Sequence, residues 1–163
     1  MSKGASSKRA SKAVSKTGGV SHETTLHVRD HCLCLAAQRA ARALARRFDE
    51  ALRPVGLTSG QFSLLMSLNR PEPPTIGAVA ALLAMDRTTL TANLKPLERR
   101  GLLETGIDPD DRRERRLILP AAGRKALHAA VPIWQRTQAD LDGLLANAAA
   151  DPDALRKGLR SLA

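Results

Sequence analysis

The sequence predicts a mainly α-helical chain with one small β-wing, and three observations carry that expectation. Ala occurs 27 times and Leu 25 times, and both lose little side-chain freedom in a helix. Val and Ile together supply ten residues and the aromatics are three (Phe48, Phe62 and Trp134), so the residues that favour strands are scarce. Only one stretch, about 102–119, has the pattern of two short strands around a turn. This usage excludes a β-sandwich or a parallel-sheet enzyme. No run of about 18 apolar residues exists to span a bilayer, so no membrane association is expected. The 163 residues suffice for one domain of ordinary size.

The elements follow from local chemistry. Residues 1–22 are expected to form a disordered basic tail: the first twenty hold Lys3, Lys8, Arg9, Lys12 and Lys16, no acid and almost no large apolar side chain. A single domain is expected over 23–163. Its first helix is expected over about 31–53, capped by Asp30 and ended by Arg53-Pro54. Leu33, Ala37, Ala40, Leu44, Phe48 and Leu52 form one apolar stripe along it. Thr58-Ser-Gly-Gln61 reads as a capping box with Leu57 and Phe62 as a hydrophobic staple, which starts a helix over 59–69. Thr75 caps a short third helix. Asp86 caps a fourth that runs to Arg100, with Gly101 following as the residue that ends it. Leu102–Ile107 and Arg115–Leu119 are expected strands around Asp108-Pro-Asp-Asp-Arg-Arg-Glu114, whose Asp-Pro-Asp is turn chemistry. A long helix over 121–148 is expected to kink at Pro132, and Asp151-Pro152 starts a last helix that reaches Leu162.

Two capped helices separated by a few residues make a helix-turn-helix, and an Arg-bearing ribbon directly after it makes a winged helix. On the fourth helix Leu90, Leu94 and Leu97 share the core face. Thr88, Ala92, Lys95 and Arg99 lie opposite, with Thr89 and Thr91 on the flanks. Hydroxyls and cations on the leading end of a helix suit the edges and phosphates of a DNA major groove. A solvated amphipathic face is the bland alternative. Wing arginines can enter a minor groove, where narrow tracts concentrate negative potential. The net charge of +10 suits a polyanionic partner. The expected DNA-binding residues are therefore Arg87, Thr88, Thr89, Thr91, Lys95, Arg99, Arg112, Arg113 and Arg115, with Asp86 and Asp111 supporting them.

Leu57-Thr-x-x-Gln61, Leu97-Glu-Arg-Arg-Gly-Leu-Leu103, Asp108-Pro-Asp-Asp-Arg-Arg113 and Leu119-Pro-Ala-Ala-Gly123 together resemble the MarR family of bacterial transcriptional regulators. The resemblance covers about residues 31–160, and its most specific element is the Asp-x-Arg of the wing, met by Asp111 and Arg113. It implies a winged helix-turn-helix over about 57–120, flanked by dimerisation helices over about 31–53 and 121–162. It also implies a homodimer on a palindromic operator of double-stranded DNA, usually a repressor relieved by a small molecule or an oxidant. In that family the wing Arg reaches into the minor groove and the Asp helps to hold it. Three positions depart from the family pattern. Ala92 follows Thr89-Leu-Thr91 where a basic residue is common, Thr105 stands for the Arg that opens the first wing strand, and Pro120 stands for a capping Thr. The first shifts base reading toward Arg87, Thr88 or Lys95, and the first two together bear on which operator is read.

The stripes of the first and last helices exceed what one small core can cover, which also points to a homodimer. A small aromatic or phenolic effector is the expected ligand, with Arg39, His128 and Trp134 as possible pocket residues. Cys32 and Cys34 form no disulfide framework, and the absence of a secretory signal pattern predicts a cytoplasmic protein. Their expected role is packing. The alternative is a peroxide-sensing thiol, against which stand the lack of any Tyr and of a third Cys. Inside one helix, moreover, residues two apart point about 200° apart and cannot bond to each other. His31-Cys32-x-Cys34 lacks the ligands of a closed metal site, so no metal and no cofactor is expected. Asp49-Glu50, the wing carboxylates and His128 show no nucleophile–base or phosphate-loop spacing, so the chain is not expected to be an enzyme.

Overall fold

The computed structural model describes residues 19–108, 111 and 113–162. The chain divides into two compact units, the first ending at Arg39 and the second beginning at Ala40. Most of the expected basic tail, residues 1–18, and Arg112 at the wing tip lie outside the described residues.

The N-terminal part departs from expectation. Instead of one helix starting near residue 31, there are two: α1 (His22–His31) and α2 (Leu33–Leu52). Ser21 caps α1, its hydroxyl accepting from the Thr24 N–H at 3.1 Å. Asp30 therefore lies in the last turn of α1 and is not a cap; its carboxylate is paired with Arg29 at 2.7 Å. Between the helices Cys32 takes an extended conformation with φ −75° and ψ 105°. Neither Gly nor Pro stands at the break, and nothing local in the sequence foretells it.

The rest follows its caps. A 3₁₀ turn at Arg53–Val55 leads to α3 (Ser59–Leu68), where the capping box is complete. Gln61 N–H donates to the Thr58 hydroxyl, Thr58 N–H donates to the Gln61 side chain, and Leu57 and Phe62 are both buried as the staple requires. Asp49 adds a contact from ten residues away, its carboxylate accepting from the Ser59 N–H at 2.6 Å. Thr75 caps α4 (Ile76–Leu82), and Asp86 caps α5 (Arg87–Arg99). Gly101, at φ +65°, ends α5 in the left-handed region that favours glycine.

Strands β1 (Glu104–Ile107) and β2 (Arg115–Ile118) pair antiparallel, with Glu104 opposite Ile118 and Ile107 opposite Arg115. They are shorter than the sequence pattern suggests, because Leu102, Leu103 and Leu119 leave the ribbon and enter the core. Then come α6 (Ala121–Asn147) and α7 (Pro152–Arg160), the latter capped by Asp151. The first turn of α6 packs so closely that a Cβ on Gly123 would strike the Leu102 carbonyl oxygen and come within 2.6 Å of Leu119 Cδ1.

The core belongs to the second unit. Leu52, Leu64, Leu65, Val79, Leu90, Leu97, Leu103 and Leu117 are essentially closed to solvent. Leucines of the α5 face and of both wing segments thus share one interior, which holds α5 and the wing against a common support. Among the described residues no helix is long and apolar enough to cross a membrane.

Candidate nucleic-acid interface

The expected core face of α5 is buried at Leu90, Leu94 and Leu97. Thr88, Ala92, Lys95 and Arg99 are exposed on the opposite side, as the helical spacing requires. The two threonines on the flanks are less open donors than their exposure suggests. Thr89 donates its hydroxyl to the Asp86 carboxylate at 2.6 Å, and Thr91 donates to the Arg87 carbonyl at 2.7 Å. Toward a partner each hydroxyl therefore presents oxygen lone pairs, which accept. The Thr89 hydroxyl and N–H also hold the Asp86 carboxyl below the usual Asp range, which keeps the cap ionised.

The wing tip is organised by its acids. Asp111 accepts from the Arg113 backbone N–H at 2.9 Å, so its support of Arg113 runs through the main chain. Asp108, nearly closed to solvent, is paired with Arg116: Nε stands 2.6 Å from Oδ2. Arg116 also donates to the Pro73 carbonyl at 3.2 Å, and Leu117 N–H donates to the Pro74 carbonyl at 2.9 Å. The 71–74 segment thereby joins the ribbon as a short third edge, with Thr75 bridged to Arg116. Sequence reasoning missed Arg116, Pro73 and Pro74, since contacts across more than forty residues leave no local signal. Thr105, which stands where the family pattern has Arg, donates to the Glu98 carboxylate and ties β1 to the last turn of α5.

Between α5 and the wing lies a cleft of about 210 Å³. Arg87 and Thr91 line it from α5, Arg113, Glu114 and Arg115 from the wing, and Thr75 to Gly77 from α4. Four of the nine expected DNA-binding residues, three of them arginines, line this one space. Lys95 and Arg99 lie further along the exposed face of α5.

Of the expected pocket residues, Trp134 and His128 are not drawn together in the same way. Trp134 stacks on Phe62 with ring centroids 6.3 Å apart, joining α6 to α3. His128 is exposed six residues earlier, and six residues turn a helix by about 240°, so the two side chains leave different sides of α6. Arg39 is exposed on α2. Cys34 is exposed and accepts from the Gln38 amide at 3.3 Å, while Cys32 is half-buried and accepts from the Leu35 N–H at 3.4 Å. Among the described residues no group of three or more His, Cys, Asp or Glu side chains is arranged to hold a metal.

The family model of the MarR family matches residues 55–114, from the turn before α3 to the wing tip. The crystal structure of the M. tuberculosis transcriptional regulator MosR in complex with DNA is 38% identical, with a TM-score of 0.73, over 81% of this chain and 93% of that one. The chain belongs to the MarR family. Another MarR-like structure, the transcriptional repressor CouR bound to a 23-mer DNA duplex, is 30% identical with a TM-score of 0.73, over 84% of this chain and 96% of that one. Among curated proteins, the transcriptional regulator HosA of Escherichia coli O111:H- is 35% identical over 91 residues, which are 55% of this chain and 66% of HosA. The uncharacterized regulator YwoH of Bacillus subtilis is 31% identical over 87 residues, 53% of this chain and 63% of YwoH. The chain thus spans less than two thirds of the length of these curated relatives. The segment that the family model matches is the one that carries the helix-turn-helix and the wing.

Proposed function

We propose that this chain is a homodimeric, sequence-specific DNA-binding regulator that represses transcription from a palindromic operator. The observation that carries the reading is the cleft between α5 and the wing, where Arg87, Arg113 and Arg115 converge. Three arginines against one acid, Glu114, leave the cleft lining with an excess of positive charge that phosphates can neutralise. That two relatives of this fold were solved with DNA supports the same reading. The homodimer is supported by apolar stripes that the chain itself leaves uncovered. Leu155, Leu159 and Leu162 recur at helical spacing and are all exposed, as are Leu144 on α6 and Leu33 and Leu44 on α2. A two-fold dimer presents two recognition helices about one DNA turn apart, which is why a palindrome is the matching target. Selection from random duplexes followed by salt-dependent titration tests this. A selected palindrome bound far more tightly than its scrambled version, by a protein dimeric in light scattering, is the expected result. A monomer, or equal affinity for both duplexes, refutes it.

Release from the operator has two readings. In the first, a small aromatic or phenolic effector favours a wing spacing that no longer fits the operator. Its support is that the relative CouR was solved bound to p-coumaroyl-CoA. The second is a thiol switch, and a specific observation favours it: Cys32 sits at the break between α1 and α2, outside either helix. The geometric objection to a Cys32–Cys34 bond holds only for two residues within one helix. Cys34 lies exposed in the first turn of α2 and the Leu35 N–H is aimed at the Cys32 sulfur. An organic peroxide would take the thiolate to a sulfenic acid and leave as the alcohol. The second thiol would then displace water and form the disulfide. Parent, Cys32→Ser, Cys34→Ser and the double variant, titrated on the operator with cumene hydroperoxide and separately with p-coumaroyl-CoA, separate the readings. Oxidant release lost in the variants supports the switch. Thioester release retained in all four supports the ligand.

A further inference from the structure

The geometry points to Gly77 as a positioning residue for DNA recognition that acts through Arg87. Gly77 is the second residue of α4, and glycine is among the poorest residues for that conformation. Its φ is not in the left-handed region, so the backbone does not require glycine here. What occupies the space of a side chain is the guanidinium of Arg87, across the turn. A Cβ on residue 77 would stand 2.8 Å from Arg87 Nη2 and 3.6 Å from its Cζ. The guanidinium therefore lies directly on the bare Cα, beside the Thr75 hydroxyl that caps the helix.

Arg87 is the first residue of α5 and is exposed, and a side chain of its length has many rotamers in solvent. The seat on Gly77 restricts it to the cleft that Arg113 and Arg115 also enter. A cation already in place loses less rotamer freedom when a phosphodiester arrives, and that difference appears as affinity. The fold contains its own comparison. Gly60 is likewise the second residue of a capped helix, α3, yet a Cβ there would meet nothing within 4 Å. The two glycines share a helix position and differ in whether an arginine occupies the space above it.

The inference rests on the DNA-binding reading of Arg87, and the experiment keeps the two apart. Operator affinity and its salt dependence are measured for the parent, Gly77→Ala, Arg87→Ala, the double variant and Gly60→Ala, with melting temperature in parallel. The obstructed atom is the movable end of an arginine, so Gly77→Ala should fold with an unchanged or raised melting temperature. Its operator affinity should nevertheless fall by about threefold to tenfold with a salt slope close to the parent's, because the cation is retained, whereas Arg87→Ala should lose at least as much affinity and about one unit of slope. The double variant should bind no worse than Arg87→Ala, and Gly60→Ala should bind like the parent. If Arg87→Ala is weakened while Gly77→Ala is not, or if the two losses multiply in the double variant, the positioning role is wrong and the Arg87 reading survives. If Arg87→Ala binds like the parent, the Arg87 reading falls and takes the inference with it. A lowered melting temperature in Gly77→Ala also overturns the inference, because the added methyl would then be meeting something less movable than the guanidinium.

Discussion

Replacing Arg116 with methionine and Asp108 with asparagine removes the same ion pair from opposite ends, and the structure makes the two losses unequal. The Asp108 side chain is 5% exposed and that of Arg116 is 28% exposed, with Nε 2.6 Å from Oδ2. In Arg116→Met the carboxylate stays in a nearly closed site and loses the Arg116 guanidinium. Stranding one member of a buried pair costs about 3–5 kcal/mol. The contact to the Pro73 carbonyl goes too, although methionine retains most of the apolar stem. In Asp108→Asn the single amide oxygen can keep the bond from Arg116 or the one from the Asp111 N–H but not both, since these run to different carboxylate oxygens, and a guanidinium more than a quarter exposed can turn to water. That loss should be about 1–2 kcal/mol. Leu103 and Leu117 bury fully in the common core, so the ribbon unfolds with the domain and both losses register globally. Urea unfolding followed by the fluorescence of Trp134, the one tryptophan, reads the two shifts. The double variant, in which both members of this pair are neutral, should be more stable than Arg116→Met alone. Equal losses, the reverse order, or simple additivity in the double variant would refute the assignment of the burial cost to Asp108.

Further outcomes follow from the same contacts. Arg113→Ala should weaken operator binding by about 1–3 kcal/mol in a gel-shift titration, with Asp111→Ala milder because it holds only the Arg113 main chain. Lys95→Ala and Arg99→Ala should lower affinity for all duplexes alike and flatten the salt slope by about one unit each. Gly123→Ala should cost about 3 kcal/mol in urea unfolding, since the new methyl meets the Leu102 carbonyl oxygen, and backbone cannot move aside as a side chain can. The Arg156 guanidinium at 2.8 Å, helped by the Gln138 amide, holds the Asp142 carboxyl below the usual Asp range. A lowered folded value means that this tie between α6 and α7 is fully present above the usual Asp range and is lost as the pH falls through the lowered one. Asp142→Asn should therefore remove part of the acid-side loss of helicity measured by circular dichroism, and leave the alkaline side unchanged.

What the sequence by itself determined is the chemistry that acts within a few residues. Thr58 with Gln61, Thr75, Asp86 and Asp151 each bond an N–H two or three positions on, so the starts of four helices were legible from residue type and spacing. Gly101 was legible for the same reason, and so was the face of α5, since Leu90, Leu94 and Leu97 can share a side only in a helix. The wing could be read as a ribbon from its turn residues. What only the tertiary structure decided lies across longer separations. Asp49 caps α3 from ten residues away, Arg116 ties the wing to Pro73 across forty-three, and Gly123 is required by the backbone of Leu102. The break at Cys32 shows that a missing signal can mislead as well. An unbroken apolar stripe suggested one helix with two inert cysteines, and the chain instead turns there and takes Cys32 out of the helix. Arg87 stood in the expected interface from the outset. That its guanidinium rests on a glycine of the preceding helix depends on how α4 and α5 are packed, and packing is a property of the folded chain that residue spacing does not encode.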